Sequence, residues 1–155
     1  MITKEQVLEA QKLWGDGVVK IGSLKQSRTE CEEYASNFLD NRYAFDQGNV
    51  LFKPTKCEIE QFRPTKIEAL SYFIAGEERA CNEDKGFAIQ PWTKVRFENS
   101  DVILSDVTAT AMGNYFFSTP EGDEVKVEYT FGYIYDSEGK LRINLHHSSM
   151  PATSE

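Results

Sequence analysis

Histidine is scarce in this sequence, and the patterns that bind metals or nucleotides are missing from it. The chain has two histidines in 155 residues, and its three cysteines, Cys31, Cys57 and Cys81, are widely spaced without a CxxC pair. A zinc site needs three or four His, Cys or carboxylate ligands within tetrahedral reach, and nucleotide sites use glycine-rich phosphate loops. The sequence therefore disfavours both a His- and Cys-rich metal site and nucleotide binding.

Positive charge is also in short supply. Lys and Arg total 17 against 25 Asp and Glu, which gives a net charge of -8. Nucleic acids and anionic membranes need clustered cations, and no apolar run approaches the ~18 residues of a membrane span. We therefore expect neither as a partner. The unpaired cysteines indicate a reducing compartment, so we expect a cytoplasmic protein, or a plastid one if a targeting segment has been removed.

The remaining pattern is that of one folded domain, residues 1–155, in which helices precede strands. Thr3 and Gln6 have the spacing of a capping box, and Pro64 and Thr65 mark the start of a later helix. From "KGFAIQPWTKVRF" onward, β-rich segments are separated by the turn signals "PEGDE" and "DSEGK". This order predicts an α+β fold, with N-terminal helices packed on a highly curved antiparallel sheet that encloses a pocket.

The two histidines lie next to each other in "NLHHSSMP", at the end of the last predicted strand. Neighbouring strand residues point to opposite faces, so His146 and His147 cannot easily share one metal ion. With regular alternation, His147 and Ser149 share the face of the strand's inward apolar residues, whereas a β-bulge would bring His146 and Ser148 to that face instead. Both pairs stay open, together with the simpler interpretation that these residues only finish a sheet.

Other polar side chains stand in apolar surroundings. Thr55 ends the extended segment "LFKPT", and Tyr72 lies within "ALSYF" on the predicted third helix. The aromatic residues Tyr115, Tyr129 and Tyr133 are interpreted as packing residues whose hydroxyls find a backbone carbonyl. No glycine-rich nucleophile elbow accompanies the histidines, so a serine–histidine nucleophile is not predicted.

Six separated motifs, in order, give the chain a recognisable family resemblance from about Lys4 to Pro151. They are "LFKPT", "ALSYF", "WTKVRFENSDV", "AMGNYFF", "KVEYTFGYIYDSEGKLRI" and "LHHSSMP". Together they resemble the iota-class carbonic anhydrases, which are built on the association domain of calcium/calmodulin-dependent protein kinase II within the nuclear transport factor 2-like fold. The resemblance implies a cone-shaped fold, a homodimer joined through the sheets, and reversible hydration of CO2 to bicarbonate.

The resemblance also implies a site. Matched motif by motif, it selects the hydroxyls of Thr55 and Tyr72 and a histidine and serine from "HHSS", either His147 with Ser149 or His146 with Ser148. These groups would orient water and CO2 in an apolar pocket. Some family members are described as metal-free and others are linked to manganese or zinc; the ligand-poor sequence favours the metal-free description, with no cofactor.

Two other functions share this fold. A non-catalytic oligomerisation or ligand-binding module would form a dimer or a larger ring without hydrating CO2. A different small-molecule enzyme, such as an isomerase or dehydratase, would place a carboxylate beside a histidine deep in the pocket. Only Glu128 stands in an apolar segment, and alternation puts it on the face opposite Tyr129, which weakens this last hypothesis.

Overall fold

The structure, a computed structural model, describes residues 1–154. Within this range the helices and strands are α1 (Lys4–Ser23), α2 (Arg28–Arg42), β1 (Leu51–Lys53), α3 (Lys66–Ile74), β2 (Lys94–Leu104), β3 (Thr108–Ser118), β4 (Glu124–Tyr135) and β5 (Leu141–Ser149). Among the described helices, none combines the length and the apolar character needed to cross a membrane. The order of elements is the predicted α+β arrangement, since the three helices described above all precede the four long strands.

The helix starts follow the local signals in the sequence. Thr3 accepts a hydrogen bond from the Gln6 backbone, and the Gln6 side chain accepts one from the Thr3 backbone, which completes the predicted capping box of α1. Thr65 caps α3 by accepting from the Glu68 amide. These caps satisfy amide groups that a helix end otherwise leaves without a partner.

The sheet has five strands in the order β1-β5-β4-β3-β2. The four long strands pair antiparallel, as predicted, whereas β1 joins the edge parallel to β5. The sheet is therefore mixed rather than wholly antiparallel. Strands β1 and β5 can pair in parallel because no hairpin joins them: α3 and strands β2 to β4 lie between them along the chain. The predicted strand segment that began at "KGFAIQ" is also shorter, since Phe87–Ile89 forms a 3-10 turn.

The helices cover one face of the sheet, and the core lies between the two layers. The inward residues of β3 and β4 recur at every second position over most of both strands, and eight of them are buried hydrophobic residues: Ala109, Ala111, Tyr115, Phe117, Val127, Tyr129, Phe131 and Tyr133. Trp14 of α1 reaches the middle of this surface, with its ring 5.4 Å from that of Tyr115 and 5.6 Å from that of His146. The aromatic core therefore continues directly to the "HHSS" segment.

A bulge in β5 decides which histidine faces the core. The β4–β5 ladder pairs Tyr133 with Ile143 and Gly132 with Leu145, which leaves Asn144 without a partner. Strands β4 and β5 approach closely at this point: a Cβ atom at Gly132 would lie only 2.9 Å from the Leu145 Cβ. An unpaired residue reverses the alternation beyond it, so the side that faces the core changes before the histidines.

The consequence is visible in burial. His146 and Ser148 are 2% and 1% exposed, whereas His147 is exposed and Ser149 is half-buried. The phase of regular alternation, which would have put His147 and Ser149 inside, is therefore wrong for this strand. The bulged alternative describes the structure.

Candidate active site

A small cavity lies where β1, β5 and α3 meet beneath α1. It is lined by five apolar side chains, Trp14, Phe52, Pro54, Phe73 and Phe87, and by five polar ones, Thr55, Tyr72, Tyr115, His146 and Ser148. The space open to the centre of a water-sized sphere is ≈ 10 Å³, which is room for about one water molecule. We call it the inner cavity.

Four of its polar side chains are linked by hydrogen bonds, and we call them the polar chain: Thr55, Ser148, Tyr115 and His146. The Thr55 and Ser148 hydroxyl oxygens are 2.6 Å apart. The Ser148 and Tyr115 hydroxyl oxygens are 2.5 Å apart, and Tyr115 Oη lies 3.1 Å from His146 Nε2. Each hydroxyl can both donate and accept a hydrogen bond. The direction of the bond at the imidazole therefore influences the direction of each later bond, as far as Thr55 at the cavity.

The far side of the imidazole is held by a second buried pair. His146 Nδ1 lies 2.8 Å from the Tyr43 hydroxyl, and the Trp14 indole N–H donates to that hydroxyl at 3.0 Å. Phe131 and Phe52 stack on the ring, with centroid distances of 4.1 and 4.8 Å. Loss of hydration on burial, aided by the neighbouring His147, lowers the pKa of His146 well below its usual range, so the ring is neutral at neutral pH.

Tyr72 supplies a hydroxyl from α3. It accepts a hydrogen bond from the Lys56 amide at 3.3 Å, and its ring stacks on Phe87. Burial raises the pKa of both Tyr72 and Tyr115, so both keep their protons and act as neutral hydroxyls. The site is therefore uncharged, with hydroxyls and one imidazole set among aromatic rings.

A wider cavity connects this site with solvent. It has a volume of ≈ 670 Å³ and is lined by Thr55, Lys56, Cys57, Glu58, Tyr72, Glu83, Asp84, Lys85, Phe87, Gln90 and Trp92. Thr55, Tyr72 and Phe87 line both cavities, so they form the boundary between them. We call the wider cavity the vestibule.

The described residues include no cluster of side chains that could bind a metal ion. Across residues 1–154, no three His, Cys, Asp or Glu side chains are grouped so that they could hold an ion. Cys31, Cys57 and Cys81 are free and buried, and burial raises the pKa of the Cys57 thiol to about 12. A protonated thiol is a poor metal ligand.

The structure brings together some of the predicted site residues and separates others. Thr55, Tyr72, His146 and Ser148 all line the inner cavity. His147 and Ser149 lie on the other face of β5, where the Ser149 hydroxyl donates to Glu128 Oε1 at 2.7 Å. The bulge accounts for this separation.

Sequence reasoning missed three residues that contact the imidazole. The sequence pattern predicts Tyr115 only as a packing residue, and it does not single out Tyr43 or Trp14 as part of a site. Alternation along β3 does place Tyr115 inward beside Phe117, so its burial was readable. That its hydroxyl meets His146 depends on the order of strands, which no local pattern shows.

The fold and the site define a class of protein: an α+β fold of the nuclear transport factor 2-like type, with an uncharged, hydroxyl-lined cavity. A nuclear transport factor 2-like superfamily protein from Salmonella enterica superposes with a TM-score of 0.56 at 9% identity, covering 98% of this chain and 93% of that one. A calcium/calmodulin-dependent protein kinase II association domain from Xanthomonas campestris reaches 0.59 at 23% identity, covering 91% and 82%. At such identities these likenesses show the fold alone.

Sequence comparison then identifies the family. The family described as metal-independent carbonic anhydrase matches residues 5–150. A metal-independent carbonic anhydrase from Nostoc sp. is 39% identical over 153 residues, which are 97% of this chain and 74% of that protein. The crystal structure of a cyanobacterial iota-carbonic anhydrase complexed with bicarbonate superposes with a TM-score of 0.94 at 38% identity, covering 99% and 94% of the two chains. This chain belongs to the metal-independent carbonic anhydrase family, and the predicted family and fold are confirmed.

Proposed function

We propose that this protein hydrates CO2 reversibly to bicarbonate and a proton where the inner cavity meets the vestibule, and that it does so without a metal ion. The observation that carries the proposal is the polar chain, which ends at the Thr55 hydroxyl on the boundary between the inner cavity and the vestibule. Family membership supports the reaction, and the relative bound to bicarbonate supports the product.

The walls suit the substrate. CO2 is apolar and gains little from charge, whereas Phe52, Phe73 and Phe87 offer contact surfaces that exclude bulk water. Holding CO2 and one water molecule in contact supplies much of the catalysis, because oriented reactants avoid the entropy cost of meeting. We assign this orientation to Thr55 and Tyr72, whose hydroxyls border the vestibule.

In the reaction, the water oxygen forms a bond to carbon while one C=O electron pair moves onto oxygen, and the water loses one proton. The hydroxyls of Thr55 and Tyr72 would donate hydrogen bonds to the oxygens that gain charge, and Ser148 would donate to Thr55. His146 would orient these hydroxyls rather than store the proton, since its burial disfavours the imidazolium. The proton would leave through the vestibule to solvent buffer.

The competing enzyme class receives no support from the site. A carboxylate-driven isomerase or dehydratase needs a buried Asp or Glu beside the substrate. Asp84 is buried, but the Arg63 guanidinium and the Ser71 hydroxyl occupy its carboxylate oxygens. Glu128 lies on the exposed face.

Stopped-flow CO2 hydration in protein dialysed against a chelator tests the proposal. We expect hydration above the buffer rate in the wild type, and a loss of roughly tenfold or more in Thr55→Ala and Tyr72→Phe, because each removes a hydrogen bond to the reacting oxygens. Thr55→Ser keeps the hydroxyl and should keep most of the activity.

Three outcomes would count against the proposal. Full activity in both folded variants would remove Thr55 and Tyr72 from the mechanism. Activity that appears only after zinc or manganese is added would make the enzyme metal-dependent. No hydration with or without metal would leave the non-catalytic assembly module.

We further propose that residues 1–155 form a single catalytic domain of a cytoplasmic homodimer joined through the outer face of the sheet. The resemblance supports this assembly, and Ile103 and Met112 expose 71% and 57% of their surface on that face. The free cysteines support a reducing compartment. In sedimentation velocity, we expect Met112→Lys to weaken the dimer; a monomeric wild type would overturn it.

A further inference from the structure

The hydrogen bonds around Tyr43 restrict where the proton of the His146 imidazole can lie. Tyr43 is fully buried. Its hydroxyl has two partners among the described residues, the Trp14 indole N–H at 3.0 Å and His146 Nδ1 at 2.8 Å. Each of these contacts must be assigned a donor and an acceptor.

Trp14 settles the first assignment, because an indole N–H can only donate. It occupies one lone pair of Tyr43 Oη, and the Tyr43 hydrogen then has His146 Nδ1 as its remaining recorded acceptor. If Nδ1 carried the proton instead, the Tyr43 hydrogen would be buried without an acceptor, and buried polar groups are rarely left in that state. The arrangement that satisfies every group has a bare Nδ1.

We propose that Trp14 and Tyr43 are positioning residues that hold the neutral His146 imidazole in the tautomer with its proton on Nε2, so that the imidazole donates to Tyr115. His146 is then a fixed hydrogen-bond donor to the polar chain. This role rests on the proposed function, since it deepens the account of the same site.

The fixed donor sets the direction of the next bond. Tyr115 accepts from His146 Nε2 and therefore turns its own hydrogen to the Ser148 oxygen, 2.5 Å away. Ser148 then has two acceptors within reach, Thr55 Oγ1 at 2.6 Å and the Glu128 carbonyl at 3.2 Å. The tautomer therefore fixes the inner part of the chain and leaves a choice only at Ser148.

That choice controls what Thr55 offers to the cavity. When Ser148 donates to Thr55, the Thr55 hydrogen points to the ligand and can bind an oxygen of bicarbonate. When Ser148 donates to the Glu128 carbonyl, Thr55 donates to Ser148 and turns its lone pairs to the cavity, where they can accept from water. The coupled rotation of two hydroxyls, those of Ser148 and Thr55, thus serves both the substrate water and the product.

The tautomer can be measured directly by long-range 1H–15N correlation spectra of 15N-labelled protein at neutral pH. His147→Gln removes the only other imidazole and assigns the signals. We expect a protonated Nε2 and an unprotonated Nδ1. Tyr43→Phe should shift the Nδ1 resonance and lower kcat roughly tenfold with a smaller change in KM, as expected for the loss of one orienting hydrogen bond.

Tyr129→Phe is the matched control, because it removes a buried tyrosine hydroxyl that bonds to Asn99 and not to His146. It should leave both the imidazole spectrum and kcat near those of the wild type. A proton on Nδ1 in the wild type would overturn the proposal, even if Tyr43→Phe fails to fold. An unchanged spectrum and kcat in folded Tyr43→Phe would overturn it as well.

The spectrum separates this proposal from the proposed function. A wild type with the expected tautomer but no CO2 hydration would contradict the function alone. A wild type that hydrates CO2 with its proton on Nδ1 would contradict the positioning role alone.

Discussion

Two neighbouring His-Ser pairs in β5 have the same side chains and opposite surroundings. Ser148 is buried in the polar chain, whereas Ser149 bonds to Glu128 on the outer face. We therefore expect Ser148→Ala to lower kcat for CO2 hydration by roughly tenfold or more, because Thr55 and Tyr115 lose their shared partner. Ser149→Ala and His147→Gln should remain close to the wild type.

Ser149→Ala is a matched control for Ser148→Ala, because both variants remove a serine hydroxyl from the same strand. Stopped-flow rates and circular dichroism spectra would be recorded for all of them at one pH. If Ser149→Ala lost activity while Ser148→Ala kept it, the strand phase in the structure would be wrong.

The buried imidazole also makes stability depend on pH. Burial lowers the pKa of folded His146 well below its ordinary value, so below about pH 6.5 the unfolded chain binds more protons than the folded one. Stability from this residue is therefore present above that pH and lost as pH falls toward the folded pKa. Between pH 7.5 and 5.5 we expect a loss of about 1.4 kcal/mol in the free energy of unfolding.

Urea unfolding of wild type and His146→Gln at both pH values isolates this contribution, because the carboxylates titrate alike in the two proteins. The variant is less stable at every pH, but its pH dependence should be shallower by that amount. Equal slopes in the two proteins would mean that His146 is not held neutral. His147→Gln, changed on the exposed face, serves as the comparison.

At this scale the sequence revealed part of the site. Thr55 and Tyr72 were selected by family motifs, and the pair His146 and Ser148 was one of two alternatives. Tyr43 and Tyr115 were not selected, because a buried tyrosine that packs and one that bonds to an imidazole share the same local pattern. Both hydroxyls bond to His146, which lies 103 residues from Tyr43 and 31 residues from Tyr115 along the chain.

Among the secondary-structure elements, the segments around the vestibule are fastened by one buried ion pair. Arg63, which precedes α3, and Asp84, which lies before the Phe87–Ile89 turn, form two hydrogen bonds of 2.8 and 2.7 Å. Ser71 of α3 donates to the same carboxylate. The pair thus connects the loop after β1, helix α3 and the segment that leads to β2.

Breaking this pair should loosen the vestibule wall. In Asp84→Asn the charge of Arg63 stays buried without a counter-ion, which costs about 3 kcal/mol of folding stability. Asp16→Asn is the control, since the Lys12–Asp16 pair is largely exposed and such pairs contribute little. Chemical denaturation measures both; an Asp84→Asn protein as stable as Asp16→Asn would show that the pair is not a structural tie.

The positions of the helices and strands were easier to predict than the face that each strand turns to the core. The capping box at Thr3 and the start of α3 at Thr65 depend on residues three apart, so local sequence contains the whole signal. The bulge at Asn144 is defined instead by the pairing with β4, where Tyr133 pairs with Ile143 and Gly132 with Leu145. Strand phase could not be read from local sequence because it depends on this pairing between two strands.

In the whole molecule, the proposed reaction has two parts: CO2 is hydrated at the uncharged cavity, and the proton is released through the charged vestibule. The cavity excludes charge, yet each turnover must release a proton. The ionisable vestibule residues are lysines, carboxylates, Cys57 and Tyr72; the chain's two histidines lie elsewhere, His146 in the core and His147 on the outer face of β5. Among residues 1–154, the vestibule lining therefore has no group whose ordinary pKa lies near neutrality.

Without such a group, the proton must pass directly to buffer that enters the vestibule. We expect kcat at neutral pH to rise with buffer concentration, and small buffers to be more effective than bulky ones. Placing an imidazole there should replace the buffer, because its pKa suits proton transfer near pH 7. Lys85 is exposed and lines the vestibule, so Lys85→His should raise kcat severalfold at low buffer concentration and little at high concentration.

Lys20→His makes the same substitution at an exposed position of α1 that does not line the vestibule, and it should leave the buffer dependence unchanged. Stopped-flow rates at several buffer concentrations and constant ionic strength compare the three proteins. If wild-type kcat is independent of buffer concentration, proton release is not the slow step, and the division of work between cavity and vestibule fails. If Lys20→His raises the rate as much as Lys85→His, the effect belongs to surface charge and not to the route by which the proton leaves.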